Sequence, residues 1–169
     1  MKAMIRMMLY SLAPAAVLAA LTLTAAQPAS ADFVLTLPAG TACQDFDLQL
    51  VSTGGSQPKT FTDKNGNEVR VLIAGKGALL TYTNLNSGDS VTIKTGGSVT
   101  SIRPNSDGTH TWTATGHNGL ILFPTDVPAG PTTTQYIGRI VFTVDDTTGV
   151  FTLLSTSGSA RDICAELAG

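Results

Sequence analysis

THTWTATGHNGLILFPTDVPAGP, residues 109–131, is the stretch on which the reading of this chain turns. In its first half His110, Trp112 and Ala114 alternate with threonines, the period of an extended strand and not that of a helix. Its second half holds a short apolar run, "LILF", and then a proline-punctuated segment. Between the halves stands "GHNG". Read locally, this is a turn joining strand "THTWTAT" to strand "LILF", with Gly116 and Gly119 supplying backbone freedom. The competing reading makes His117 a catalytic base, with Asp126 nearby in sequence and many serines to choose from. None of those serines sits in a G-x-S-x-G elbow, so the turn reading is preferred.

The same alternation runs outward in both directions. Phe46, Leu48 and Leu50 fall on one face of "QDFDLQLV", and Val69, Val71 and Ile73 on one face of "EVRVLIAG". Leu79, Thr81 and Thr83 oppose Leu80 and Tyr82, and "SVTIKT", "SVTSIRP", "QYIGRIVFTVD" and "VFTLLSTS" continue the pattern. Turn chemistry separates these runs: Asn65-Gly66, then "NSGD", "TGG", "PNSDG" and "DDTTG". Closely linked strands at roughly ten-residue spacing predict an all-β fold, an antiparallel β-sandwich of immunoglobulin-like or jelly-roll-like kind with about 8–10 strands. A short C-terminal helical turn is expected in "ARDICAEL", capped by Ser159 with Asp162 in its first turn. "STGGSQP" and "PTDVPAGPTTT" read as the two adaptable loops.

The remaining motifs are weak. Asp63, Asn65 and Asn67 overlap the start of a calcium loop, but the glycine falls too early and no Glu takes the twelfth position, so a hairpin turn is expected and no metal. Trp112 is read as a core residue of its strand, with a sugar-stacking platform as the alternative, for which Tyr82 and Tyr136 are the available companions. No cofactor is expected.

The first 31 residues have the layout of an export signal: Lys2 and Arg6, an apolar stretch interrupted by Pro14, and small residues at Ala29, Ser30 and Ala31. The expected mature domain is residues 32–169, a single sandwich without a membrane anchor after cleavage. Without Lys2 and Arg6 the formal charge moves from −2 to −4. That balance gives no basic stripe for phosphates, and nucleic acid is not an expected partner. Cys43 and Cys164, in an oxidising compartment, are expected to form a disulfide tying the ends of the domain, with free thiols or a metal pair as the alternatives.

"FTDKNGN", "AGKGALLTYTNLNSGDSVTIKT", "PNSDGTHTWTATGHNGLILFPTDVPAGP", "YIGRIVFTVD" and "DICAELAG" together resemble small secreted all-β proteins of unknown function from high-GC Gram-positive bacteria. The resemblance covers about residues 37–169 and both cysteines. It implies secretion, one all-β domain and the disulfide, and it brings no activity, ligand or site residue. The function expected is therefore a secreted, non-catalytic binding or structural module, released or held at the cell surface, whose partner is a cell-wall polysaccharide or a secreted protein. An inhibitor of extracellular proteases or hydrolases, using the proline-rich loop, is the alternative, and a secreted hydrolase the third. The candidate binding surface is His117, Asn118 and Asp126 at the loop ends, with Trp112 beside them.

Overall fold

The computed structural model describes residues 33–169, so the expected export signal, residues 1–31, lies outside the described residues. The strands are β1 (Phe33–Leu37), β2 (Leu48–Gly54), β3 (Gln57–Thr62), β4 (Glu68–Ala74), β5 (Ala78–Asn84), β6 (Ser90–Lys94), β7 (Val99–Pro104), β8 (Thr109–Leu122), β9 (Thr132–Asp145) and β10 (Phe151–Asp162). One helical turn, α1 (Ile163–Leu167), ends the chain. The strands form two antiparallel sheets packed together, ordered β1-β2-β5-β6 and β10-β9-β8-β7-β4-β3. The chain is an all-β sandwich.

In the four-stranded sheet the period of two is kept without interruption. Leu50 faces Tyr82 and Tyr82 faces Val91, while Ser52, Leu80 and Ile93 form the next row on the same side. Leu48, Tyr82 and Ile93 are buried with Phe46 and with Ile163 and Leu167 of α1. A disulfide joins Cys43 to Cys164 within this cluster, its Cα atoms 5.5 Å apart, and Cys43 is fully buried. Thr133 of β9, also fully buried, donates its hydroxyl to the Ala42 carbonyl at 3.0 Å. One end of the sandwich is thereby closed by covalent, apolar and polar contacts at once.

Two local expectations are corrected. Ser159 does not cap α1: residues 159–162 belong to β10, where Ser159 pairs with Ile137 and Arg161 with Gln135. The cap is Asp162, whose Oδ1 accepts from the Ala165 N–H at 3.0 Å, because the ladder with β9 holds the chain extended up to that residue. "STGGSQP" is not a long loop either, since β2 runs to Gly54 and β3 starts at Gln57. β3 escaped the sequence reading because it is an exposed edge strand with Pro58 and Lys59, chemistry that reads as a loop.

The largest correction falls on the opening stretch. "GHNG" is not a turn between two strands: β8 is one strand of 14 residues that runs through it. Gly116 pairs with Gly138 on β9, and Gly138 pairs with Gly158 on β10. All three have positive φ, +92°, +147° and +90°, so three adjacent strands carry at one level a backbone that side chains disfavour. The row is a crease. Unbent, the run from His110 to Phe123 would measure about 40 Å. Yet one carboxylate, that of Asp126, accepts from the Phe123 N–H at 2.6 Å and from the Phe151 N–H at 2.8 Å. Phe151 pairs with Val144, and Val144 with His110. Phe123 has therefore come back to the level at which the strand began, and the sheet is doubled over.

The doubling explains how the residues beyond the crease are sorted. Leu120 and Leu122 pack into one cluster with Ala114, Ile140 and Phe142, all three on the Trp112 side of the crease. Ile121, on the opposite face, packs against the disulfide cluster. β7 does not follow: its last partner is Thr115, and the Ser98 hydroxyl donates to the His117 carbonyl at 2.6 Å where the ladder stops. The folded-back end is thus a narrow wedge of β8, β9 and β10 with apolar side chains on both faces.

A methyl group at Gly138 would overlap the Ser157 carbonyl, whereas one at Gly66, also at positive φ in a hairpin, meets open space. Gly138→Ala is expected to cost about 3–5 kcal/mol, unfavourable φ and overlap together, against about 1–2 kcal/mol for Gly66→Ala. Denaturant unfolding of the two variants measures the difference, and equal losses would mean that the crease is not a constraint.

Candidate functional site

The wedge meets the four-stranded sheet at one tight point. Tyr82, which is 1% exposed, places its hydroxyl against the Cα of Gly119, where any side chain would collide with it. Burial pushes the Tyr82 phenol up to about 12, so it stays neutral across the physiological range. Space remains open on both sides of this contact. On one side lies an apolar cleft of about 420 Å³, whose aromatic lining is Phe33, Tyr82, Trp112, Phe123, Phe142 and Phe151. On the other lies a smaller cleft of about 260 Å³ lined by Ser56, Thr95, Ser98, Thr100, His117 and Asn118 among others. Leu80 and Gly119 belong to both walls, so the two spaces are neighbouring lobes between the sheets.

The aromatic wall is ordered by strand register. Trp112 and Phe142 are cross-strand partners with ring centroids 5.7 Å apart, and Phe142 stacks on Phe151 at 5.4 Å. Stacked rings of this kind add to the area they bury. Trp112 and Phe151 remain half-buried, and Phe33 at the mouth is 54% exposed. The indole Nε1 of Trp112 is screened from solvent and has no hydrogen-bond partner, and the same holds for Nδ2 of Asn118. A buried donor left unpaired costs about 1–3 kcal/mol. Each lobe has one such donor on a residue of its lining.

The four candidates from the sequence separate into three and one. Trp112 lines the apolar lobe, and His117 and Asn118 line the polar one. Asp126 lines neither and is not a surface group: it is 4% exposed, and its two oxygens are occupied by the Phe123 and Phe151 amides. It is a clamp that holds the folded-back strand against the start of β10. The proline-rich loop is pinned accordingly, because the Val127 N–H donates to the Phe151 carbonyl at 2.8 Å and its carbonyl accepts from the Leu153 N–H at 2.7 Å. His110 leaves the core at the strand's start and pairs through Nδ1 with Asp146. Tyr82 is not an exposed companion of Trp112 but the buried post between the lobes. Ser52, Leu80, Gly119 and Phe123 escaped the sequence reading because different strands and turns bring them together, and nothing local marks them.

The acids and bases are dispersed. Hydrogen bonds from Asn67, Thr109 and Thr148 hold the carboxyls of Asp63, Asp107 and Asp145 below the usual range, and all three close hairpin turns. The Arg161 guanidinium lowers Glu166 in the same way, beside α1. Among the described residues no side-chain hydrogen bond joins His117 to an acid, and no three His, Cys, Asp or Glu side chains are grouped to hold a metal ion. No protein-family model matches the chain, and no curated protein or solved structure matches it either.

Asp126→Asn keeps the shape but can accept only at its single carbonyl oxygen, leaving one amide unpaired. A loss of about 1–3 kcal/mol is expected, whereas His117→Ala should stay within about 0.5 kcal/mol of the parent. Urea midpoints test both, and a neutral Asp126→Asn would mean that the clamp does not hold the fold-back.

Proposed function

We propose that the protein is a non-catalytic extracellular binding module, and that it binds a small molecule in the space between its sheets. One observation carries this reading: the largest aromatic cluster of the sandwich lines an open cleft of about 420 Å³ where a closed core would be expected. Ligand sites are typically concave and mostly apolar, with a few fixed polar groups, and Trp112, Tyr82 and Leu80 meet that description. The disulfide fits an oxidising compartment, and no helix among the described residues is long and apolar enough to cross a membrane.

A polysaccharide partner receives less support than it did from the sequence, because stacking on a sugar chain needs free ring faces on an open surface and the rings of Trp112, Phe142 and Phe151 are stacked on one another. An inhibitory role for the proline-rich loop also receives little support. A loop that enters a protease as a strand must offer free backbone groups, and those of Val127 are already bonded to β10.

Trp112 is the single tryptophan of the chain, so it reports on the cleft directly. Titration with 1-anilinonaphthalene-8-sulfonate is expected to give saturable, 1:1 binding with energy transfer from Trp112. Ser52→Phe, which fills the cleft from β2, should abolish the transfer while leaving the unfolding midpoint within about 1 kcal/mol of the parent. Absence of saturable probe binding to the natively folded protein, checked by near-ultraviolet circular dichroism, would overturn the reading.

A further inference from the structure

We infer a second site, independent of the cleft: the outer face of the six-stranded sheet, at β3, β4 and β7, binds an acidic polysaccharide through Lys59, Arg70 and Arg103. Register sets the face. Val71 pairs with Ile102, and Ile102 with Trp112 of the cleft lining, so the residues that alternate with them point to the other side of the sheet. There Lys59 lies opposite Leu72, Phe61 opposite Arg70, and Ser101 opposite Thr113. One step along the ladder from the Val71–Ile102 pair, Arg70 meets Arg103. Like charges directly opposite on neighbouring strands destabilise a sheet. No acid relieves this pair: β3, β7 and β8 contain none, and Glu68, the single acid of β4, forms no ion pair with either arginine. In a chain with more acids than bases, the concentration is local.

The cations are held in place. Lys59 Nζ lies 5.1 Å and Arg70 Cζ 5.9 Å from the centroid of the Phe61 ring, and Arg70 Nε donates to the Ser101 hydroxyl at 3.0 Å. Part of the ordering cost of binding is thereby met before a partner arrives. An anion laid across Arg70 and Arg103 turns their repulsion into charge-assisted hydrogen bonds, and guanidinium forks match carboxylates. Adjacent strands are about 5 Å apart, roughly the length of one sugar ring, so successive acidic sugars can meet successive strands. The hydroxyls of Ser101 and Thr113 donate as well as accept and suit sugar hydroxyls, whereas a polyphosphate chain offers acceptors only. A Phe61 ring engaged by two cations is a poor platform for a nucleobase. Recognition here is by charge and hydroxyl, without ring stacking.

Polygalacturonate, dextran and polyphosphate, each titrated into the folded, disulfide-bonded protein, test the class. Polygalacturonate is expected to bind saturably and to weaken about tenfold between about 20 and about 200 mM salt, because exposed charges are screened; neutral dextran should not bind, and polyphosphate should bind more weakly. Arg103→Gln should weaken polygalacturonate about fivefold while leaving the unfolding midpoint unchanged or raised, since the like-charge opposition goes with it. Lys94→Gln, on β6 of the other sheet, should change neither. Equal losses in the two variants, polyphosphate binding as tight as that of polygalacturonate, or no saturable binding of polygalacturonate to the parent would each overturn the inference, and none of these outcomes bears on the cleft.

Discussion

The row Gly116, Gly138 and Gly158 is the constraint from which the rest of the architecture follows. A strand that bends alone loses its ladder, because its partners continue straight. Here the three neighbours bend at the same level, so pairing resumes on both sides: Thr115 with Arg139 before the crease, His117 with Ile137 after it, and Ser159 with Ile137 on the far strand. Corners of β-sandwiches are commonly turned by strands that bend from one layer towards the other. Side chains at Gly138 and Gly158 would strike the carbonyls of Ser157 and Ile137, and one at Gly116 would crowd Ser98 at a positive φ, which is why glycine serves at all three.

What the doubling costs in regularity it returns as a cleft. The folded-back wedge stands between the four-stranded sheet and the first half of its own sheet, and it fills that space unevenly. Towards the disulfide it packs fully, with Ile121 and Thr133 against Cys43, Leu48 and α1. Away from it Gly119 meets the Tyr82 hydroxyl and the end of Leu80, and Trp112, Phe151, Leu50 and Leu80 remain half-buried around that contact. The asymmetry has a physical basis. The closed end is fixed by a cross-link spanning 121 residues, and by linked contacts such as Asn84 Nδ2 donating to the Leu167 carbonyl at 2.9 Å. The other end is held without a cross-link, by the Asp126 carboxylate and by the backbone bonds of Val127 to Phe151 and Leu153.

Much of this was legible in the sequence, and the reason differs by residue. The all-β class, the hairpin turns at Asn65-Gly66 and Thr147 to Gly149, and the Cys43–Cys164 bridge follow from period, turn chemistry and compartment, which are local or compositional signals. The crease was not legible, because a glycine at positive φ looks the same in a turn as in a bent strand, and only the register with Gly138 and Gly158 distinguishes them. The role of Asp126 was hidden for a related reason: a carboxylate between prolines reads as exposed, and its amide partners lie 3 and 25 residues away. Of the candidate residues, Trp112, His117 and Asn118 line the lobes, while the residues that complete the walls come from β1, β2, β4, β5, β7, β9, the start of β10 and turns between strands.

The chemistry of the lobes also bears on the kind of function they can serve. Catalysis by acid, base or nucleophile requires titratable groups held at bonding distance from one another. Among the described residues the titratable pairs so held are His110–Asp146 at a hairpin and Arg161–Glu166 at the C-terminal corner, while Asp63, Asp107 and Asp145 are spent on turns. What lines the inter-sheet space is of another kind: aromatic and aliphatic side chains, hydroxyls of Ser and Thr, a phenol that stays neutral, and the imidazole of His117. Under the proposed reading, such a lining discriminates by shape and by hydrogen-bond complementarity.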